Sequence, residues 1–171
     1  MNNGLLIVGA GAYGRVAKEI AESTKHFDKI AFVDDNAVGS FGGTCVVGKP
    51  QDLESLAEEY SNVIVAIGNP VVRLSMLETA EALGKFNIPV LISPFAYVSP
   101  SAKIDKGSII GPMAVVHTES ELRRGCIIAA GAVVNHGAIC LDGVHVDCNA
   151  VVMGNVTVPE KTKVIAGRSF P

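Results

Sequence analysis

Three glycines, a pair of acids and the histidines at 136 and 145 hold most of the chemistry this sequence could perform. Gly9, Gly11 and Gly14 form a Gly-x-Gly-x-x-Gly turn that follows the apolar run Leu5-Leu6-Ile7-Val8. The turn opens residues 15–22, where Val16, Ile20 and Ala17, Ala21 have helical spacing. A helix start reached through glycines presents unpaired N–H groups to an anion, so the turn reads as a phosphate cradle. Asp34 follows Gly14 at the spacing where an acid would meet the ribose of a dinucleotide. The plain alternative is a glycine turn that only packs helix on strand. His117, His136 and His145 share no metal-ligand spacing, and Cys45, Cys126, Cys140 and Cys148 make no Cys-x-x-Cys pair, so no metal is expected, and His26, His117 and the cysteines read as structural or exposed.

The elements that must position these groups fall into two domains. In residues 1–92, a second strand over 30–33 ends in Asp34-Asp35, and a third over 63–67 ends in Gly68-Asn69. Pro50 and Asp52 open a helix over 53–60, residues 73–84 supply another, and 88–91 reads as a fourth strand. Strands alternating with helices give a small Rossmann-like parallel sheet, whose ligands sit beyond the carboxyl ends of the strands. The glycine turn, Asp34-Asp35 and Gly68-Asn69 all lie there. The domain is about half of a six-stranded dinucleotide fold and lacks a second βαβαβ half, which favours a nucleoside diphosphate such as a nucleotide-sugar over NAD.

Residues 93–171 carry a six-residue period. Val98, Ile104, Ile110, Val116, Leu122, Ile128, Val134, Cys140, Val146, Val152, Val158 and Val164 are all apolar, and two residues before each stands a residue that is nearly always small. Gly107, Gly125, Gly131, Gly137, Gly143 and Gly167 recur at one position of the hexad, where the chain turns. The pattern is that of a parallel β-helix from about residue 96 to 167. Twelve hexads make four triangular coils of 18 residues, a prism about 19 Å tall at a strand spacing of about 4.8 Å. A β-sandwich is the alternative, but its loops would break a register that runs here without an insertion. Nine residues, half a coil, separate His136 from His145, so within one chain they point from opposite sides and could meet only across a subunit interface.

Composition excludes several classes. With 171 residues, 49% hydrophobic and 18% charged, the chain should fold. Its apolar runs are far shorter than the roughly 20 residues that span a bilayer. A net charge of −3 with scattered Lys and Arg gives no face for nucleic acid. The start Met1-Asn2-Asn3-Gly4 lacks a basic stretch and a cleavage site, so a cytoplasmic protein with reduced thiols is expected.

A small glycine-rich βαβ domain joined to a hexapeptide β-helix resembles the bacterial sugar O-/N-acyltransferases of the NeuD/PglD type, which include sialic acid O-acetyltransferases and UDP-4-amino-sugar N-acetyltransferases. The resemblance rests on Val134-Asn135-His136-Gly137-Ala138-Ile139, Asp142-Gly143-Val144-His145-Val146, Phe32-Val33-Asp34-Asp35 and Ala66-Ile67-Gly68-Asn69 with Arg73. It implies a left-handed β-helix, a homotrimer, and acetyl-CoA as co-substrate in the groove between neighbours. It also implies that His136 is the general base, a task suited to histidine's ordinary pKa of about 6.5. By the same resemblance His145 lies near the acetyl carbonyl and the Gly154 amide near the thioester. Gly9, Gly11, Tyr13, Gly14, Asp34, Asp35, Gly68, Asn69 and Arg73 are then the nucleotide-sugar residues.

The sequence departs from the family at three places. Gly137 stands where an acid usually follows the base. Ala12-Tyr13-Gly14 replaces Gly-His-Gly. After Gly154 the chain runs through Val158-Pro159-Glu160-Lys161-Thr162 to Gly167, where the family adds further coils, so weakened acetyl-CoA contact is expected. The expected function is acetyl-CoA-dependent transfer of an acetyl group to a hydroxyl or amine of a sugar or nucleotide-sugar, in surface polysaccharide or glycan synthesis. The alternatives are a nucleotide-sugar-binding or scaffold protein without CoA, and an NAD-binding module. Outward Ile109, Val115, Ile127, Val133 and Val151 are expected to drive trimer formation through the prism faces.

Overall fold

In the first domain every residue of Gly4–Val8 (β1) is buried, as suits a parallel strand covered on both faces. The computed structural model describes residues 3–171, and the chain divides into two compact units between Pro89 and Val90. Met1 and Asn2, at the start read above for a leader, lie outside the described residues. β1 pairs in parallel with Lys29–Val33 (β2) on one side and Asn62–Val65 (β5) on the other. Thr44–Gly48 (β4) adds in parallel to β2, and Ser40–Phe41 (β3) closes that edge antiparallel to β4, giving the order β3-β4-β2-β1-β5. The β3-β4 hairpin, absent from the expected elements, carries its own turn signal. Gly42-Gly43 is a two-residue turn in which both residues take positive φ, 56° and 81°.

Ala12–Thr24 (α1) starts on Gly11 and ends at Lys25 in the left-handed region. Pro70–Leu83 (α3) begins three residues before the expected 73. Asn69 caps it by accepting from the Val71 and Val72 N–H groups, and Pro70 fills the first turn, where a missing N–H costs nothing. The helix expected over 53–60 is only a 3₁₀ turn, Pro50–Asp52, and one α turn, Leu53–Leu56 (α2). Of the residues in α2 only Leu53 is fully buried, too little apolar surface to hold a longer helix in place.

Residues 88–91 are not a fourth strand of this sheet. Leu91–Ile92 pairs in parallel with Ile109–Ile110, one coil further on, and so belongs to the prism. Ser169–Phe170 likewise pairs with Val151–Val152. The repeat therefore extends one hexad beyond each end of the expected range, in three parallel sheets of five, four and five strands. Each strand is two residues long, one facing in and one out. The interior column of Ile110, Val116, Leu122, Ile128, Val134, Cys140, Val146, Val152 and Val158 is at most 1% exposed, and Ala114, Ala132, Ala138 and Ala150 fit beside it. Full burial raises the Cys140 thiol pKa, and among the described cysteines none is bonded to another.

The corner position shows how little the repeat depends on glycine. Gly107, Gly125, Gly131, Gly137, Gly143 and Gly167 have φ between 63° and 74°, but Met113, Glu119, Asn149, Asn155 and Lys161 hold the same place at 55° to 59°. Every hexad from 107 to 167 thus turns through one left-handed residue.

Candidate functional site

In the first domain the strand ends enclose a cavity of about 320 Å³, lined among others by Gly9, Gly11, Tyr13, Asp34, Asp35 and Gly68. Its glycines differ in what they are needed for. Gly9 has φ 101°, a conformation costly for any other residue. A Cβ on Gly14 would overlap the Gly9 carbonyl oxygen, so Gly14 is required for the helix to approach the turn. Gly11 and Gly68 have neither constraint: a Cβ on either would meet no atom within 4 Å. Among the lining residues there is no lysine or arginine, and the positive end of the site is the uncapped start of α1.

The carboxylate of Asp34, at the cavity wall, is held by backbone donors of its own chain. Oδ2 accepts from Ala10 N–H at 2.8 Å, and Oδ1 accepts from Asn36 N–H at 2.9 Å and Ala37 N–H at 2.8 Å. Partial burial pushes its pKa up, but these three backbone donors outweigh it and hold the carboxyl below its ordinary value. Asp34 therefore ties the end of β2 to the glycine turn while still lining the cavity. Asp35, exposed, is the second acid that lines the site.

Two expected contacts are corrected. Asn69 is the cap of α3. Arg73, expected in the pocket or as a solvated charge, is 0% exposed, and its guanidinium donates to the carbonyls of Ile67 at 2.7 Å and Gly68 at 3.0 Å. Neither lines the cavity. Arg73 fixes the loop that carries Gly68, which a sequence cannot separate from an exposed helix charge.

In the prism, His136 follows the Val133–Val134 strand at an exposed corner. Its neighbour in the next coil is Gly154, and a Cβ there would stand 2.7 Å from His136 Cε1, 2.9 Å from Nε2 and 3.2 Å from Nδ1. The ring thus lies against the bare Cα of residue 154. On its other side His117 meets it edge to face, with ring centroids 6.3 Å apart and planes at 75°. His117, expected to be merely structural or exposed, belongs to this corner. The available signal was its spacing from His136, one coil plus one position.

His145 is on a different sheet, in the His145–Val146 strand that pairs with Ile127–Ile128. It is 3% exposed, with Nε2 3.9 Å from Asp147 Oδ1, while Asp147 Oδ2 pairs with Lys163 Nζ at 2.9 Å. That lysine is the main reason the Asp147 pKa is lowered. Both its ring nitrogens are covered within the single chain. Among the described residues no group of three or more His, Cys, Asp or Glu could hold a metal, and no helix is long and apolar enough to cross a membrane.

A small parallel α/β sheet with a glycine turn, followed by a prism of hexapeptide coils, is the fold of the hexapeptide-repeat class with an N-terminal α/β domain. Residues 4–96 match the PglD N-terminal domain family, and the chain belongs to the NeuD/PglD-type sugar acyltransferases. The acetyltransferase domain of PglB from Neisseria gonorrhoeae FA1090, in complex with acetyl coenzyme A, superposes with a TM-score of 0.95 at 38% identity, over 99% of this chain and 82% of that one. A histidine-to-alanine mutant of GDP-perosamine N-acetyltransferase from Caulobacter crescentus, in complex with CoA and GDP-perosamine, has a TM-score of 0.86 at 25% identity over 100% and 90%. UDP-N-acetylbacillosamine N-acetyltransferase of Bacillus subtilis (strain 168) is 33% identical over 106 residues, 60% of this chain. That match spans about half of the curated relative's length, 49%.

Proposed function

We propose that this protein transfers an acetyl group from acetyl-CoA to the amine of a nucleotide-linked amino sugar, with His136 as general base. The observation that carries the reading is the seating of His136. Its imidazole is open to solvent on a rigid prism, yet lies against Gly154 and beside His117, so it can meet a ligand without being free to wander. His136 accepts a proton from the amine as the nitrogen attacks the thioester carbonyl. The C–S bond then breaks, and the CoA thiolate leaves by taking that proton back from His136. An amine acceptor is favoured over a hydroxyl because the sugar-modifying relatives are N-acetyltransferases.

The nucleotide-sugar belongs in the cavity of the first domain. Gly11 has room for a Cβ that no neighbour excludes, which leaves close approach of a ligand as the reason for a glycine there. The helix N–H groups suit the diphosphate and the carboxylate of Asp35 suits hydroxyl groups, so the diphosphate goes to the Gly11 turn and the hydroxyls to Asp35. Assembly as a homotrimer in the cytoplasm completes the reading. Tyr97, Val115, Val133 and Val151 form an outward apolar ladder on one prism sheet, and Phe95 and Met113 add large exposed side chains at 74% and 76%. Ile109 and Ile127, expected on such a face, are already buried.

The test is thiol release from acetyl-CoA with a UDP-4-amino-sugar acceptor. His136→Ala should lower kcat by roughly 10²–10⁴-fold, the usual contribution of a positioned general base. Equal rates in wild type and variant would remove His136 from the mechanism. Stabilisation by UDP but not by CoA in a thermal-shift series would instead favour a binding protein.

A further inference from the structure

We infer that His117 is a positioning residue for His136, holding the imidazole against Gly154 so that it faces the acceptor; this rests on the reading of His136 as the base. Residue 137 is glycine, so the position after His136 supplies no side chain to orient its ring. The ring is oriented from the neighbouring coils instead. Gly154 offers a flat backbone surface on one side, and His117 closes the other with an edge-to-face contact at 6.3 Å and 75°.

His117 is itself fixed. Its Nδ1 accepts from Thr118 N–H at 2.8 Å, so the neutral ring carries its proton on Nε2, and the bond pins the orientation of the ring. The same backbone bond recurs without a ring at equivalent positions. Asn135 Oδ1 accepts from His136 N–H at 2.8 Å, and Asp147 Oδ1 accepts from Cys148 N–H at 2.9 Å. The turn thus needs only a short polar acceptor, and Asn serves one coil further on. The imidazole at 117 exceeds what the turn requires, and the excess is the surface that meets His136.

This equivalence supplies a clean variant. His117→Asn keeps the acceptor for Thr118 N–H and removes the ring, whereas His117→Phe keeps a ring edge and removes the acceptor. Both are compared with wild type and His136→Ala in the intact protein, using acetyl-CoA and a UDP-4-amino-sugar, with imidazole C–H resonances recorded by NMR. The expected result for His117→Asn is a kcat at least about 10-fold lower, short of the roughly 10²–10⁴-fold of the base itself. KM for both substrates and the melting temperature should stay unchanged, and the His136 resonances should move while those of His145 do not. His117→Phe should recover most of the lost kcat. Unmoved His136 resonances or an unchanged kcat in His117→Asn, with His136→Ala inactive, would overturn the positioning role alone. Full activity in His136→Ala would overturn the general-base reading and the positioning role with it.

Discussion

The imidazole of His136 rests on the Cα of Gly154, so closely that a single methyl group at 154 would displace it. Glycine at 154 is therefore explained by a neighbouring side chain and not by its own backbone, since its φ lies outside the left-handed region. Gly154→Ala should leave the prism folded, because the displaced ring is exposed and can swing into solvent. It should lower kcat by about 10²-fold, the cost of misplacing a reacting group by about an ångström. Steady-state kinetics beside a melting curve will separate the two effects, and an active Gly154→Ala would contradict the seating.

Gly137 and Asn155 form a second such pair. A Cβ on Gly137 would overlap Asn155 Oδ1, and Gly131 stands in the same relation to Asn149. The left-handed φ of 64° adds a strain of its own, which Glu119 and Lys161 bear at equivalent corners. Gly137→Asp alone should therefore lower the melting temperature by both strains. Gly137→Asp combined with Asn155→Gly should recover the part due to the clash, and an acid beside the base should raise the transfer rate only in that double variant. A double-mutant cycle on melting temperature and kcat tests this. Strict additivity would show that the two residues do not interact.

The three glycines of the first turn should respond differently to alanine. Gly14→Ala collides with the Gly9 carbonyl and should abolish folding of the first domain. Gly11→Ala meets only open space, so stability should change by less than about 1 kcal/mol, while affinity for UDP, measured by calorimetry, should fall at least about tenfold, the worth of one lost charge-assisted hydrogen bond. Unaltered UDP affinity in Gly11→Ala would mean that no phosphate approaches that backbone.

Asp34 makes the first domain sensitive to acid. Its folded pKa lies below the ordinary value of 3.8, so the stabilisation it supplies is complete above that value and is lost as pH falls below it towards the folded pKa. Asp34→Asn should flatten this part of the stability profile. At neutral pH it should cost about 1.5–3 kcal/mol, since hydrogen bonds to a charged acceptor are replaced by weaker ones. Denaturant melts at several pH values give both quantities, and parallel profiles for the two proteins would place the acid sensitivity elsewhere.

The repeat was legible because each hexad reports its geometry twice, through the aliphatic residue and the small one. The two outermost hexads escaped notice for local reasons. Leu91–Ile92 follows an apolar run that also suits a sheet strand, and Phe170 is far larger than the other interior residues. In the first domain three parallel strands, and a ligand site beyond their carboxyl ends, followed from alternation and glycine spacing, whereas the β3-β4 edge did not. The roles of individual polar groups did not. Asp34, Asn69 and Arg73 have the composition of a ligand site, yet all three are occupied by backbone groups of their own chain. Such capture depends on which N–H or carbonyl a turn leaves nearby, and one-dimensional spacing does not encode that. His117 and His136 stand one coil and one position apart, so their contact becomes visible only once the coil length is known.

Because each corner turns through the same left-handed step, and each strand pairs with the one a full coil away, the second domain behaves as a ruler with one permitted increment. Loss or gain of a single residue in a strand would turn every later side chain inside out. Loss or gain of a whole coil would return each residue to an equivalent neighbour, at the cost of about one set of inter-coil contacts. Length variation among such proteins should therefore come in steps of whole coils, and the His136 corner can move along the axis of the prism without being redesigned.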